Sequence, residues 1–373
     1  MRSILKIAFD QQVFLLQEYG GISRYICSLA SELALIPDVE AQVVAPLHFN
    51  RNLAALGHVA AARFFLPRVN SKLFRLVAFA SKHLARRSIS RFRPDILHET
   101  YYSVDDYRPS GTKRVLTVYD LIHERYPGLF ERSHMTTGPK KVAAQRADHV
   151  ICISESTRRD VIEFCGVPPE KTSVVYLGVD VEFIRASERI AGRLGPLRPF
   201  FLYVGARGGY KNFDRFLRAY AQSAMLKSEF DLVCFGGGPL RSDELKVASE
   251  LGLRHGQLTH RGGSDTLLAQ LYSEAEALVY PSLYEGFGIP PIEAMAVGCP
   301  VITSNTSSLP EVVGNAGEYF DPNDQSAIMQ AMERVVGSPT RRAELIALGL
   351  QQYCQFTWKK CAHETHEIYR NLL

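Results

Sequence analysis

No stretch of this 373-residue chain approaches the roughly 18 consecutive apolar residues that a membrane-spanning helix needs. It also lacks any Cys-x-x-Cys pair. Its seven cysteines (Cys27, Cys152, Cys165, Cys234, Cys299, Cys354 and Cys361) are odd in number and scattered. That pattern argues against a disulfide framework and a zinc site, and for a reducing, cytoplasmic compartment. Internal repeats and low-complexity tracts are missing too. The apolar run Ile4–Phe9 stops at Asp10, too soon for a signal peptide. A formal net charge of only +4 gives no basis for nucleic-acid binding. What remains, 46% hydrophobic and 22% charged, is a globular composition, and the length predicts two domains.

One local absence stands out. From Ala41 to Pro94 there is no Asp or Glu, while the same window holds Arg51, Arg63, Arg68, Lys72, Arg75, Lys82, Arg86, Arg87, Arg91 and Arg93. Leu73, Leu76, Val77, Ala80 and Leu84 recur at helical spacing, which predicts a helix over Leu73–Phe92. At about 100° per residue, Arg75, Lys82, Arg86 and Arg93 share roughly a 40° arc of that helix. Such an arc suits an anionic membrane surface, or else is a solvated face balanced elsewhere in the fold.

Short β-branched runs alternate with helical patterns along the chain, the signature of parallel sheets built from strand–helix–strand units. Expected strands are 4–9, 41–45, 95–98, 114–119, 150–153 and 173–177, then 200–204, 231–235, 258–260, 277–280 and 300–303. The Gly- and Pro-bearing segment Arg193–Pro199 reads as a linker. The fold class is therefore α/β, with two doubly wound domains, 1–194 and 195–373. The final helix, about 356–373, is expected to cross back to the first domain. Ligands of such sheets bind beyond the carboxyl ends of the strands, so two facing sheets imply a cleft.

The most informative segment is Tyr280-Pro-Ser-Leu-Tyr-Glu285-Gly-Phe287-Gly288-Ile289-Pro-Pro-Ile-Glu293-Ala-Met-Ala-Val-Gly298, a strand, a glycine-rich loop and a helix. Loop amides ahead of a helix form an anion and hydroxyl site. Glu285 and Glu293 bracket the turn, and carboxylates accept from vicinal hydroxyl pairs. Glu293 alone reads equally as a glutamate stabilising a helix start.

Glu285-x7-Glu293 within this segment, continued through Thr303-Ser-Asn305 and Ser307-Ser-Leu-Pro-Glu-Val312, resembles the signature of family 4 retaining glycosyltransferases of the GT-B fold. The resemblance implies sugar transfer from a nucleotide-sugar with retention at the anomeric carbon and no metal. It assigns Glu293 to the ribose, Glu285 to the donor sugar, and the amides of Phe287, Gly288 and Ile289 to sugar and phosphates.

Other segments supply further candidates. Arg207 and Lys211 lie in the loop after the strand 200–204 and can neutralise a pyrophosphate where other folds use a metal. Their spacing is four, whereas the family's Arg precedes its Lys by five, at the position of Ala206. Gly21 in Tyr19-Gly-Gly-Ile-Ser-Arg-Tyr25 lets backbone approach phosphates. Gly237 fits a site beside the nucleotide or a plain turn, and Arg261 a base-reading loop. Tyr119 stands where many members carry a pocket His, which leaves Asp120 and His123 as the catalytic-side candidates. His98, Glu99 and Tyr101 close another strand and are acceptor-side candidates.

The expected protein is a cytoplasmic glycosyltransferase of surface-polysaccharide or lipopolysaccharide assembly, either free or peripheral on the inner membrane face. By resemblance, its donor is GDP-mannose and its acceptor a lipid-linked or polysaccharide glycan. Rhamnosyl, fucosyl and glucosyl transfer, a sugar-nucleotide epimerase, and an inactive sugar-nucleotide-binding protein are the alternatives. No metal site is expected.

Overall fold

The computed structural model describes residues 4–62, 64–67, 69–130, 134–180 and 198–373. Arg63, Arg68, the linker segment 193–197 and the expected boundary at 194/195 lie outside the described residues. The chain divides into two compact units: Met1–Gly178 with Trp358–Leu373, and Val179–Thr357.

The first unit holds a six-stranded parallel sheet of β1 (Leu5–Phe9), β2 (Val39–Val43), β5 (Ile96–Glu99), β6 (Lys113–Val118), β7 (His149–Cys152) and β8 (Thr172–Val174). Its order is β2-β1-β5-β6-β7-β8. Two short strands, β3 (Leu47–His48) and β4 (Phe64–Phe65), pair separately. The second unit repeats the plan with β9 (Phe200–Val204), β10 (Asp231–Phe235), β11 (Leu258–Arg261), β12 (Ala277–Tyr280), β13 (Val301–Ser304) and β14 (Gly317–Phe320), ordered β11-β10-β9-β12-β13-β14. The central strands β9, β12 and β13 are buried at every position, as strands covered by helices on both faces must be. Each buried Leu, Val or Phe there contributes roughly 1.5–3 kcal/mol.

The basic segment forms the helix Ser71–Phe92. The Asn70 side chain caps it by accepting from Leu73 N at 3.0 Å, and Arg93 ends it in the left-handed region (φ 51°), ahead of Pro94. Ser81, Ala85 and Ile89 form its buried stripe. The expected membrane-facing arc of Arg75, Lys82, Arg86 and Arg93 flanks this stripe rather than opposing it. Lys82 is ion-paired with Asp105, and the Arg86 guanidinium lies 5.2 Å from the Tyr107 ring. The counter-charge is thus supplied by the loop after β5, and two of the four cations are engaged within the fold.

The acceptor-side expectation for His98 and Glu99 is corrected by their burial. His98 is fully buried, bonded through Nε2 to Thr117 Oγ1 (2.8 Å) and through Nδ1 to the Tyr369 hydroxyl (2.5 Å). Burial pushes its imidazole down to about 3, so the ring is neutral in the fold. Glu99, also fully buried, accepts from Arg146 at 2.8 Å and faces Arg114 Nε at 3.2 Å. Both residues close β5 inward and serve the core. Removing Glu99 would leave two guanidinium groups without their shared carboxylate. Glu99→Ala is expected to cost about 3–5 kcal/mol, measured by urea unfolding.

Candidate functional site

In the second unit the strand order reverses between β9 and β12: β10 and β11 extend one way, β13 and β14 the other. Loops leaving the carboxyl ends of two such strands diverge, and the crevice between them is the usual ligand position of an open parallel sheet. The loop after β9 runs through a 3-10 turn, Gly209–Lys211, to Asn212, which adopts the left-handed conformation (φ 58°) that asparagine tolerates. Asn212 Nδ2 donates to the Pro281 carbonyl (3.1 Å) and the Pro322 carbonyl (2.8 Å), tying this loop to the one after β12.

Across the crevice, Lys211 Nζ donates to Glu285 Oε1 at 2.6 Å and to the Tyr280 hydroxyl at 3.2 Å. Burial opposes the ammonium charge. Glu285, with smaller contributions from Tyr280 and Tyr210, nevertheless holds Lys211 well above the usual lysine range. The cation at the switch point is therefore permanent at any physiological pH.

Glu285 is held from the far side. Its amide donates to Ser307 Oγ (2.9 Å), while Ser308 Oγ donates to the carbonyls of Glu285 (2.9 Å) and Phe287 (2.8 Å). Gly288 has φ 111°, and a Cβ there would meet Leu309 Cδ2 at 3.0 Å, so only glycine fits. The helix Ile289–Ala296 starts immediately after it, with proline in its first turn. Glu293 in that helix is buried and accepts from the Tyr272 hydroxyl at 3.3 Å. Phe287 turns its ring into the core against Phe356 (centroids 5.7 Å apart). Ile289 is half-buried. Chemically, this corner joins a permanent cation, two carboxylates and a helix start, the complement of a phosphorylated polyol.

Arg207 is not part of that corner. Its side chain is 1% exposed, bonded through Nε to Glu244 (3.1 Å) and through its terminal nitrogens to the carbonyls of Gly236 (3.0 Å), Gly238 (2.8 Å) and Pro239 (2.7 Å). The expectation of a pyrophosphate ligand is corrected: four of the guanidinium's five N–H groups are engaged, three by the loop after β10 and one by Glu244. Gly237 belongs to the same lock, since a Cβ there would lie 2.7 Å from the Gly205 carbonyl. Arg261, by contrast, is exposed at the end of β11. Arg207→Met is expected to lower the stability of this unit by about 3 kcal/mol in urea unfolding, because three carbonyls lose a donor and buried Glu244 loses one of its two arginine partners. Arg261→Gln should leave stability unchanged.

In the first unit, Tyr119 fills its position as a core residue, its hydroxyl donating to the Thr100 carbonyl at 3.0 Å and its ring edge-on to Tyr25. Asp120 is more open; its Oδ1 accepts from Ile122 N (3.1 Å) and lies 3.8 Å from Lys140 Nζ. His123 stacks near Phe130, with centroids 4.3 Å apart, and its buried Nδ1 has no hydrogen-bond partner among the described residues. Tyr101 packs on Tyr102 (4.6 Å). Gly21 opens the helix Gly21–Leu33, and a Cβ on it would meet nothing within 4 Å; it is Gly20 whose Cβ would displace the Gln17 side chain. Sequence reasoning passed over Asp10, which is fully buried after β1 and accepts from Thr100 Oγ1 (2.6 Å), Tyr107 (2.7 Å) and Gln12 (2.6 Å). Only its place at the end of the first strand marked it. It also passed over Asn212 and Tyr280, neighbours of Lys211 that carry no signal of their own.

Two family models match, "Glycosyltransferase Family 4" over residues 19–183 and "Glycosyl transferases group 1" over residues 185–369. The chain is 29% identical to O-antigen chain mannosyltransferase B of Escherichia coli, over 94% of this chain and 96% of that protein. It is 28% identical to O-antigen chain mannosyltransferase RfbU of Salmonella typhimurium, over 86% and 88% respectively. A solved sucrose-phosphate synthase from Thermosynechococcus elongatus superposes with a TM-score of 0.72 at 21% identity, covering 99% of both chains, which shows the shared fold. With both its parallel-sheet units matched, the chain belongs to the family 4 glycosyltransferases of the GT-B fold.

Proposed function

We propose that this glycosyltransferase is a retaining, metal-independent mannosyltransferase of surface-polysaccharide synthesis. Its donor is GDP-mannose, and its acceptor a lipid-linked or polysaccharide glycan presented at the inner membrane face. The observation that carries the reading is the Lys211–Glu285 pair at the β9/β12 switch point, 2.6 Å long and beside the helix start that bears Glu293. The choice of mannose rests on the relatives, both named for mannosyl transfer in O-antigen chains.

In this mechanism Glu293 accepts from the ribose hydroxyls and Lys211 meets the diphosphate. Glu285, released from part of its ion pair, turns to the sugar hydroxyls. The amides of Gly288 and Ile289 approach the phosphates where Gly288 leaves no side chain. Cleavage of the anomeric C–O bond places a further negative charge on the leaving diphosphate, and Lys211 stabilises that charge. The acceptor hydroxyl adds to the anomeric carbon on the face the phosphate vacates, and its proton passes to a phosphate oxygen of the departing GDP. Retention follows from attack on that same face. Asp120 and His123 are the first-unit groups proposed to meet the sugar or acceptor.

Incubating the purified protein with GDP-mannose and a lipid-linked acceptor tests the reaction; absence of transfer from any of GDP-, UDP-, dTDP- or ADP-linked sugars would overturn it. Glu293→Ala should weaken GDP binding by about 1–3 kcal/mol, read by calorimetry. Lys211→Ala should weaken it further, and Glu285→Ala should depress kcat more than affinity. Unchanged nucleotide affinity in both Glu293→Ala and Lys211→Ala removes the site assignment. Independently, activity should survive EDTA, since Lys211 supplies the charge that a cation otherwise would. Loss of activity restored by Mg²⁺ contradicts this.

A further inference from the structure

The face of the helix Ser71–Phe92 that points away from its buried stripe is not a plain solvated surface. Leu73, Leu76, Phe79 and Leu84 are 44%, 63%, 61% and 40% exposed. At about 100° per residue, Leu76 and Arg87 point nearly opposite the Ser81–Ala85–Ile89 stripe, with Leu73, Phe79, Leu84, Lys72 and Arg91 around them. Four large apolar side chains on one helix face give up the burial energy that normally places such residues inside, and soluble surfaces seldom hold such a patch without a partner.

The charges beside the patch say what the partner is. Lys72, Arg75, Arg87 and Arg91 are exposed and make no ion pair among the described residues. A groove of about 820 Å³ borders the patch, lined by Lys6, Leu84, Arg87, Arg91 and Phe92. Of its cations only Lys6 has a carboxylate near, Glu40 at 3.6 Å. No acidic residue occurs anywhere from Ala41 to Pro94 to repel an anion. Apolar side chains ringed by free cations match the acyl–headgroup boundary of an anionic bilayer, where the apolar groups enter and the cations meet lipid phosphates.

We propose that this outward face docks the first unit on an anionic lipid bilayer. Leu73, Leu76 and Phe79 enter the boundary, and Arg87 and Arg91 bind lipid phosphates. The docking face is thus the apolar side of the helix, with the arc of Arg75, Lys82, Arg86 and Arg93 at its flank. This goes beyond the proposed transfer reaction and is read without donor or acceptor.

The test is sedimentation with vesicles of phosphatidylglycerol and phosphatidylcholine, against vesicles of phosphatidylcholine alone. Wild type should pellet with the anionic vesicles and much less with the neutral ones. Leu76→Glu/Phe79→Glu should partition at least about tenfold more weakly, because it removes two inserting side chains and adds two anions. Arg87→Gln/Arg91→Gln should weaken binding about tenfold or more at low salt and lose the preference for phosphatidylglycerol. Both pairs replace exposed residues, and unchanged thermal melts confirm that the fold is kept. Equal pelleting of wild type and Leu76→Glu/Phe79→Glu overturns the proposal, as does wild type remaining in the supernatant with every vesicle. A wild-type dimer in gel filtration that Leu76→Glu/Phe79→Glu disperses, without vesicle binding, assigns the patch to a second copy and overturns it too.

Discussion

The ion pair between Lys211 and Glu285 depends on the reversal of strand order at β9/β12, and much of the second unit is arranged to keep it in place. A lysine ammonium and a glutamate carboxylate lose hydration in a half-closed crevice. The cost is offset because the partners lie at hydrogen-bond distance, with the Tyr280 hydroxyl also within reach of the ammonium. Asn212 fixes the loop that carries the lysine, and Ser307 and Ser308 fix the loop that carries the glutamate. None of these three residues need touch a ligand. Their work is to hold two diverging loops at one separation, so that the geometry of the proposed site exists before any ligand arrives.

The same economy appears at two sites of buried arginine. Arg207 ties the loops after β9 and β10 together through Glu244 and three carbonyls, and Glu99 joins Arg114 and Arg146 under the first sheet. The Arg207 guanidinium, with donors spread in one plane, closes several acceptors at once, which a lysine could not do. Buried arginines in this fold are structural rivets, while the cation left at the crevice is a lysine.

Most of the architecture was legible because strands covered on both faces must be continuously apolar. The runs at Phe200–Val204, Asp231–Phe235 and Ala277–Tyr280 appear as strands with the expected bounds. The strand Gly317–Phe320 escaped notice, since a glycine and a glutamate interrupt its four residues and it lies at the sheet edge. The pairing of Lys211 with Glu285 was not legible either: 74 residues separate them, and no local pattern reports such a contact. Arg207 shows the converse. Its neighbourhood suggested a phosphate ligand, but whether a cation is free depends on partners such as Glu244, which only the folded chain brings near. The charge run of the basic helix was visible, whereas which of its cations are engaged depended on the loop bearing Asp105 and Tyr107.

The helix Trp358–Asn371 completes the first unit from the far end of the chain. Trp358 packs near Tyr25, and the Tyr369 hydroxyl meets His98 across 271 residues of sequence. During synthesis the amino-terminal unit must therefore wait for its last piece. The whole of Val179–Thr357 emerges first, which at ribosomal speed takes roughly ten to forty seconds. The second unit, contiguous in sequence, can close its core during that interval, while the His98 and Tyr25 pockets stay open. Order of synthesis and order of completion are thus inverted, and the nascent first unit is the part of the chain that most needs protection from aggregation.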